Sequence, residues 1–124
     1  MDERDPLTEA VIGAAIEVHR HMGPGLLESV YQACLEKELE LRGMTFERQA
    51  RLPLVYKGTT LDDFFVLDIF FPGQLIAELK SVEKLLPIHQ AQLLTYLRLT
   101  KTHLGLLINF NVPVLKDGIK RLAL

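Results

Sequence analysis

Asp68, Glu78 and Lys80 are the residues whose types and spacing best suit chemistry: two carboxylates and an amine in an otherwise almost wholly apolar stretch. The stretch runs from Phe64 to Lys80 and is interrupted once, by Pro72-Gly73-Gln74. Side chains alternate along a strand, so Phe64, Val66, Asp68 and Phe70 share one face, and Ile76, Glu78 and Lys80 share another. If the chain reverses through Pro72 to Gln74, Phe71 falls opposite Leu75 and Asp68 opposite Glu78, with both acids on one side. A two-residue turn would put them on opposite faces. Side by side in apolar surroundings, two carboxylates repel each other and lose hydration. Such a pair needs a proton, a hydrogen-bonding network or a cation. A hard divalent cation, Mg²⁺ or Mn²⁺, suits all-oxygen ligands and leaves positions for water and a phosphate. Lys80 can offset the charge or hold a water or phosphate oxygen. The bland alternative is a Glu/Lys strand end on the surface, with Asp68 satisfied by local hydrogen bonds.

Two further groups extend this pattern. His89, Gln92 and Tyr96 fall at i, i+3 and i+7 of a helical stretch, hence on one face, with Ile88, Ala91, Leu93, Leu94 and Leu97 as apolar contact around them. Imidazole, amide and phenol there suit a lining of donors aimed at a phosphate or a water on the metal; a solvated face is the alternative. Glu28 stands in line with Tyr31 and Leu35, bordering a buried helical stripe. It is either a further metal ligand or a first-turn acid favoured by the helix dipole. His19 and His21 diverge by about 200° on a helix and cannot chelate together, so surface or helix-end roles are expected. Cys34 lies on the apolar side of its helix and reads as a small core residue. No phosphate loop is expected at Gly23-Pro24-Gly25, which lacks a following Lys-Ser/Thr.

The elements that must position these residues follow from periodicity. Residues 7–20 carry a helical stripe of Leu7, Val11, Ile12, Ala15, Ile16 and His19, broken by Met22-Gly23-Pro24-Gly25. A second helix runs from about Leu26 to Arg42, with Gly43 just past its end. Phe46 to Tyr56 is a strand bent at Pro53, followed by a Lys57-Gly58 turn. Phe64 to Phe71 reads as a strand covered on both faces, and Leu75 to Lys80 returns beside it. Ile88 to Thr100 is helical with Pro87 at its first turn. His103 to Phe110 is a buried strand, and Ile119 to Leu122 adds a short one. The order ααβββαβ(β) makes an α/β or α+β domain with one mixed β-sheet flanked by helices.

Composition bounds what such a domain can be. The chain has 124 residues, 48% hydrophobic and 24% charged. That suits a single domain, 1–124, and is unlike a disordered chain. The apolar runs are too short for a membrane helix, and the charged Met-Asp-Glu-Arg-Asp start is unlike a signal core. One cysteine excludes an internal disulfide and a cysteine-cluster zinc site. A cytoplasmic protein is the expectation. The net charge of −2 is uneven: residues 1–47 carry four Lys/Arg against ten Asp/Glu, and residues 48–124 carry ten against six. A phosphate-bearing partner can thus be met locally by the basic part.

Taken together, these pieces resemble the PD-(D/E)xK nuclease superfamily, with its restriction-endonuclease-like core. The chain as a whole, from about Leu7 to Leu122, looks like the small bacterial family named for a GxxExxY motif, here Gly25-Leu26-Leu27-Glu28-Ser29-Val30-Tyr31. Asp68 followed by Glu78-Leu79-Lys80 matches the superfamily's acid, spacer and acid-x-Lys pattern. Gln92 to Tyr96 is similar to the QxxxY motif of its RecB-like and λ-exonuclease-like branch. In that branch an upstream helix glutamate joins the site, which is the role the resemblance implies for Glu28. One departure is Val66-Leu67 before Asp68, where an Arg-Ala type pair, and with it a phosphate contact, would be expected. The resemblance implies a Mg²⁺- or Mn²⁺-dependent phosphodiesterase acting on nucleic acid, DNA in the first instance, without a membrane and with a homodimer as one option. In it Glu28, Asp68 and Glu78 would hold metal, and Asp68, Glu78, Lys80, Gln92 and Tyr96 would serve catalysis. The alternative is a catalytically inactive nucleic-acid-binding or protein-interaction module on the same fold. A hydrolase of phosphorylated small molecules is a third, more remote reading.

Overall fold

Asp5 and Pro6 start the first helix. The Asp5 carboxylate accepts the Thr8 N–H at 2.9 Å, and Pro6 sits where no helical N–H partner is needed, so α1 spans Pro6–Met22. The computed structural model describes residues 5–124. Most of the charged start, residues 1–4, lies outside the described residues. The second helix, α2, spans Glu28–Leu41. It closes on Gly43 at φ 72°: the Gly43 N–H donates to the Glu40 carbonyl and the Met44 N–H to the Leu39 carbonyl. This pair of hydrogen bonds is the helix stop expected of glycine just past the last turn.

Five strands follow: β1 (Glu47–Tyr56), β2 (Thr59–Phe71), β3 (Leu75–Lys80), β4 (Leu104–Asn109) and β5 (Ile119–Ala123). Helix α3 (Pro87–Thr100) joins β3 to β4, and a 3-10 turn, Leu115–Gly118, precedes β5. The sheet order is β1-β2-β3-β4-β5. Only β3 and β4 are parallel, as a pair joined by a helical crossover should be; the other pairs are antiparallel. The architecture is a mixed five-stranded sheet flanked by helices, in the expected order. Pro53 marks a register break between Pro53 and Val55 in β1, in line with the expected bend.

Each face of the sheet has its own core. Val11, Ala15, Tyr31 and Leu35 of α1 and α2 pack on Ile69, Phe71, Leu79 and Ile108. On the other face Leu93, Tyr96 and Leu97 of α3 pack on Leu67, Ile76 and Leu107. Gly105 lets α3 lie close: a Cβ there would meet Leu93 and Leu97 side chains at 3.1 Å.

Several expectations need correction. β2 begins at Thr59, and Phe64, expected to be covered, is 42% exposed. Its first residues pair only with β1, so no layer covers them. The α3 residues Ile88 and Ala91 were expected to make apolar contact, yet both are exposed. They sit in the first turns of α3, where they line an open recess with Lys80. Of the two roles expected for His19, the helix-end one holds, since it lies in the last turn of α1, but it is buried and not on the surface: its Nε2 lies 2.8 Å from the Val112 carbonyl oxygen. His21 is exposed and pairs with Glu17. Cys34 is only partly buried against the core of α1 and α2.

Candidate active site

The three-residue turn sets the strand parity on which the acids depend. Phe71 lies opposite Leu75, Phe70 opposite Ile76 and Ile69 opposite Ala77. The regular pairing stops there. One step further, the Asp68 N–H donates to Glu78 Oε2 at 2.8 Å, and the Leu79 N–H donates to Asp68 Oδ2 at 2.9 Å. Two side-chain carboxylates thus replace the missing backbone partners, and β2 and β3 fork around them.

Strict alternation along β2 fails at the same point. Phe65 and Leu67 pack on the α3 side together with Phe70, whereas Ile69 and Phe71 pack on the α1–α2 side. The expected single face of Phe64, Val66, Asp68 and Phe70 is therefore broken at Asp68, where bonding to the Glu78 carboxylate replaces the ladder. On β1 the neighbouring irregularity is Gln49, at φ 45°, whose Nε2 donates to Asp68 Oδ1 at 3.1 Å. A non-glycine residue in that region is unfavourable and needs support from its surroundings.

Other elements close on this fork. Gln32 of α2 donates to the Asp68 carbonyl oxygen at 3.0 Å and to Glu36 Oε2 at 2.7 Å. Ser81, just after Lys80, donates to the Leu26 carbonyl oxygen, and the Tyr31 hydroxyl donates to that of Gly23. The loop leading to Glu28 is thereby tied to the end of β3. Asn109 of β4 is buried; it accepts the Val82 N–H and donates to the Val82 carbonyl oxygen, fixing the chain beyond Lys80.

Electrostatics follow from burial. Glu78 is 5% exposed, and burial first, then the charge of Asp68, pushes its carboxyl well above the usual range. Burial also raises Asp68, against lowering by the Leu79 N–H, Gln49 and Lys80. Glu28 is exposed as a residue, but its carboxyl is partly buried within reach of Asp68 and Lys80. Burial, then Asp68, raises it, opposite to what a helix N-terminus alone would do. Burial and then the two acids raise the Tyr96 phenol.

The acids, Lys80, Glu28 and Tyr96 thus share one electrostatic neighbourhood. Gln92 is exposed and lines a shallow recess with Lys80, His89 and Thr95. The Nδ1 of His89 accepts the Leu86 N–H, which gives His89 a helix-starting role. A groove of about 540 Å³ between α2 and β1 reaches Asp68, lined by Glu28, Gln32, Glu36, Arg48, Gln49 and Asp68.

A divalent cation fits the donor chemistry of the fork: all-oxygen ligands and two buried carboxylates whose ionisation is disfavoured until positive charge arrives. Among the described residues, no group of three or more His, Cys, Asp and Glu converges as a metal cluster. Glu28 is therefore not drawn into a ready-made three-carboxylate cage.

Four residues that hold the fork escaped the sequence reading: Gln32, Gln49, Ser81 and Asn109. Gln32 had a detectable signal, since Glu28, Gln32 and Glu36 form a polar i, i+4, i+8 stripe beside the apolar one. Nothing in the residue types marks Gln49 as left-handed.

A mixed sheet flanked by helices, with paired acids and a lysine where two strands diverge, defines a restriction-endonuclease-like nuclease fold. A family model described as the PD-(D/E)XK nuclease superfamily matches residues 5–122, and the chain belongs to that superfamily. Its nucleases generally use divalent metals and act on nucleic acid. No curated protein and no solved structure matches the chain. No helix among the described residues is long and apolar enough to cross a membrane.

Proposed function

We propose that this chain is a single-domain, Mg²⁺- or Mn²⁺-dependent deoxyribonuclease of the GxxExxY type, on the RecB-like branch that carries a QxxxY motif. The observation that carries the proposal is the fork, where Asp68 and Glu78 are buried together beside Lys80. Asp68 and Glu78 would hold the cation directly, and Glu28 through water. When bound, the cation would supply Lewis-acid polarisation of a phosphoryl oxygen and favour ionisation of water at neutral pH. Lys80 orients the attacking water and stabilises charge developing on the phosphate. Gln92 and Tyr96 position phosphate or water from the α3 side. Leu79 and Gln49, through their N–H groups, hold the Asp68 carboxylate in one orientation, so less reorganisation is needed when substrate arrives.

The experiment is Mg²⁺-dependent cleavage of DNA by the purified chain, with Asp68→Ala and Lys80→Ala as controls. Each substitution is expected to lower the rate at least about 100-fold. Cleavage that survives both would sink the mechanism. One observation favours a second reading, an inactive nucleic-acid-binding or protein-interaction module: among the described residues three carboxylates do not converge. Calorimetric titration with Mn²⁺ separates the two, since uptake that is lost in Asp68→Ala belongs to the nuclease reading alone.

A further inference from the structure

Beside the fork, the groove between α2 and β1 has a feature that metal binding does not use. Its lining is acidic at Glu28, Glu36 and Asp68, and Arg48 is the one cation among its described lining residues. Arg48 is held in a particular way. Its Nε donates to Glu36 Oε1 at 2.7 Å, while the other Glu36 oxygen accepts from Gln32, which also donates to the Asp68 carbonyl oxygen. The Glu36 side chain is 12% exposed and that of Arg48 is 65% exposed. A mostly buried carboxylate therefore anchors one edge of an otherwise open guanidinium. Among the described residues the Nη groups of Arg48 make no hydrogen bond or ion pair. A guanidinium gripped through Nε keeps its two Nη groups for a second oxyanion, and such a fork suits phosphate.

Position adds to chemistry. Arg48 stands opposite Ile69, one residue along β2 from Asp68, and the groove it lines ends on Asp68 itself. A nucleic-acid strand with one phosphate at the fork would send its next nucleotide either along this groove or toward the recess of Lys80 and Gln92. Lys80 is already assigned to the phosphate at the acids, whereas Arg48 is anchored through Nε with its Nη groups open, which favours the groove.

We propose that the α2–β1 groove is a phosphodiester-binding subsite, with Arg48 as the ligand of a phosphate flanking the one held at the acids and Glu36 as its positioning residue. The subsite rests on the nucleic-acid reading given above. Glu36 contributes orientation and Arg48 contributes charge, so the two substitutions have different signatures. Arg48→Met keeps the apolar stem but removes one phosphate contact. Arg48→Lys keeps a point charge without the fork. Glu36→Gln keeps the charge on Arg48 and loosens its aim.

The test uses the full chain in Ca²⁺, in place of Mg²⁺ to suppress cleavage, with a fluorescent single-stranded 12-mer DNA followed by anisotropy across a salt series. Mn²⁺ uptake is measured on every variant by calorimetry. For Arg48→Met we expect roughly tenfold weaker binding and a salt slope shallower by about 0.7, the value for one phosphate on a single strand, with Mn²⁺ uptake unchanged. Arg48→Lys should keep the slope and lose part of the affinity, and Glu36→Gln should do the same. If Arg48→Met matches the wild type in affinity and slope, the subsite is wrong. A wild-type chain that takes up Mn²⁺ but binds no 12-mer overturns the subsite as well and leaves the metal site standing. Failure of the wild type to take up Mn²⁺ defeats the nuclease reading instead, while the Arg48 slope still reports on the groove. Should Arg48→Met also lose Mn²⁺ uptake, Arg48 is a structural support of the fork and the proposal falls.

Discussion

The two halves of β2 share one strand and almost nothing else. From Thr59 to about Phe65 it pairs with β1 alone, in a hairpin turned by Lys57-Gly58, and most side chains meet water. From Val66 to Phe71 it lies within the sheet, and its last three residues, Ile69 to Phe71, pair with β3 as well. In the first half, backbone hydrogen bonds are nearly the whole of the structure. In the second, packing on both faces fixes side chains well enough to hold two acids where they would not otherwise go. Precision at the fork is a product of layers on both sides, not of strand geometry.

The largest expected break of this contrast is in the inner half. Ile69 is fully buried in the core of α1 and α2, so Ile69→Ala should cost about 2–5 kcal/mol of stability in urea unfolding. A loss below about 1 kcal/mol would mean the inner half is loosely packed.

The next effect has the opposite sign. Burial raises Glu78 and Asp68, so the native state without metal holds protons that the unfolded chain releases near pH 4–4.5. Its unfolding free energy should therefore fall as pH rises from that window through the raised values. Glu78→Gln keeps an acceptor for the Asp68 N–H and removes a charge. Without metal it should be more stable than the wild type at pH 8 by roughly 0.5–2 kcal/mol, with a flatter dependence on pH. Equal pH slopes for the two proteins would disprove this account of the site.

The smallest effect belongs to the outer half. Phe64 is exposed, and its main partner is the Arg51 guanidinium 4.4 Å from the ring centroid. Phe64→Ala should change stability by no more than about 1 kcal/mol, and thermal melting would show it. A change as large as that of Ile69→Ala would erase the distinction between the halves.

Much of this arrangement was legible in the sequence because it rests on local rules. Gly43, Lys57-Gly58, Pro72-Gly73-Gln74 and Pro87 mark element ends through backbone chemistry. The odd loop parity was enough to bring Asp68 beside Glu78. What escaped depended on tertiary contacts. Alternation at Asp68 fails because carboxylates bond backbone across the fork, which no period along one strand can reveal. Burial of His19 depends on the Val112 carbonyl, 93 positions away. The support from Gln49 and Asn109 comes from strands on either side, so neither stands near Asp68 or Lys80 in the chain.

The register break at Pro53 bears on how the molecule meets its own kind. β1 is an edge of the sheet, and an open edge normally offers a row of N–H and C=O groups to another chain. Proline has no N–H to give, and the break at Pro53–Val55 interrupts the straight row that a second strand would follow. The outer hairpin can stay exposed, with Val55, Tyr56 and Phe64 in water, while the edge beside it resists growth into a larger sheet. Protection of the β1 edge against a further strand thus leans on one imino acid far from the acids at the fork.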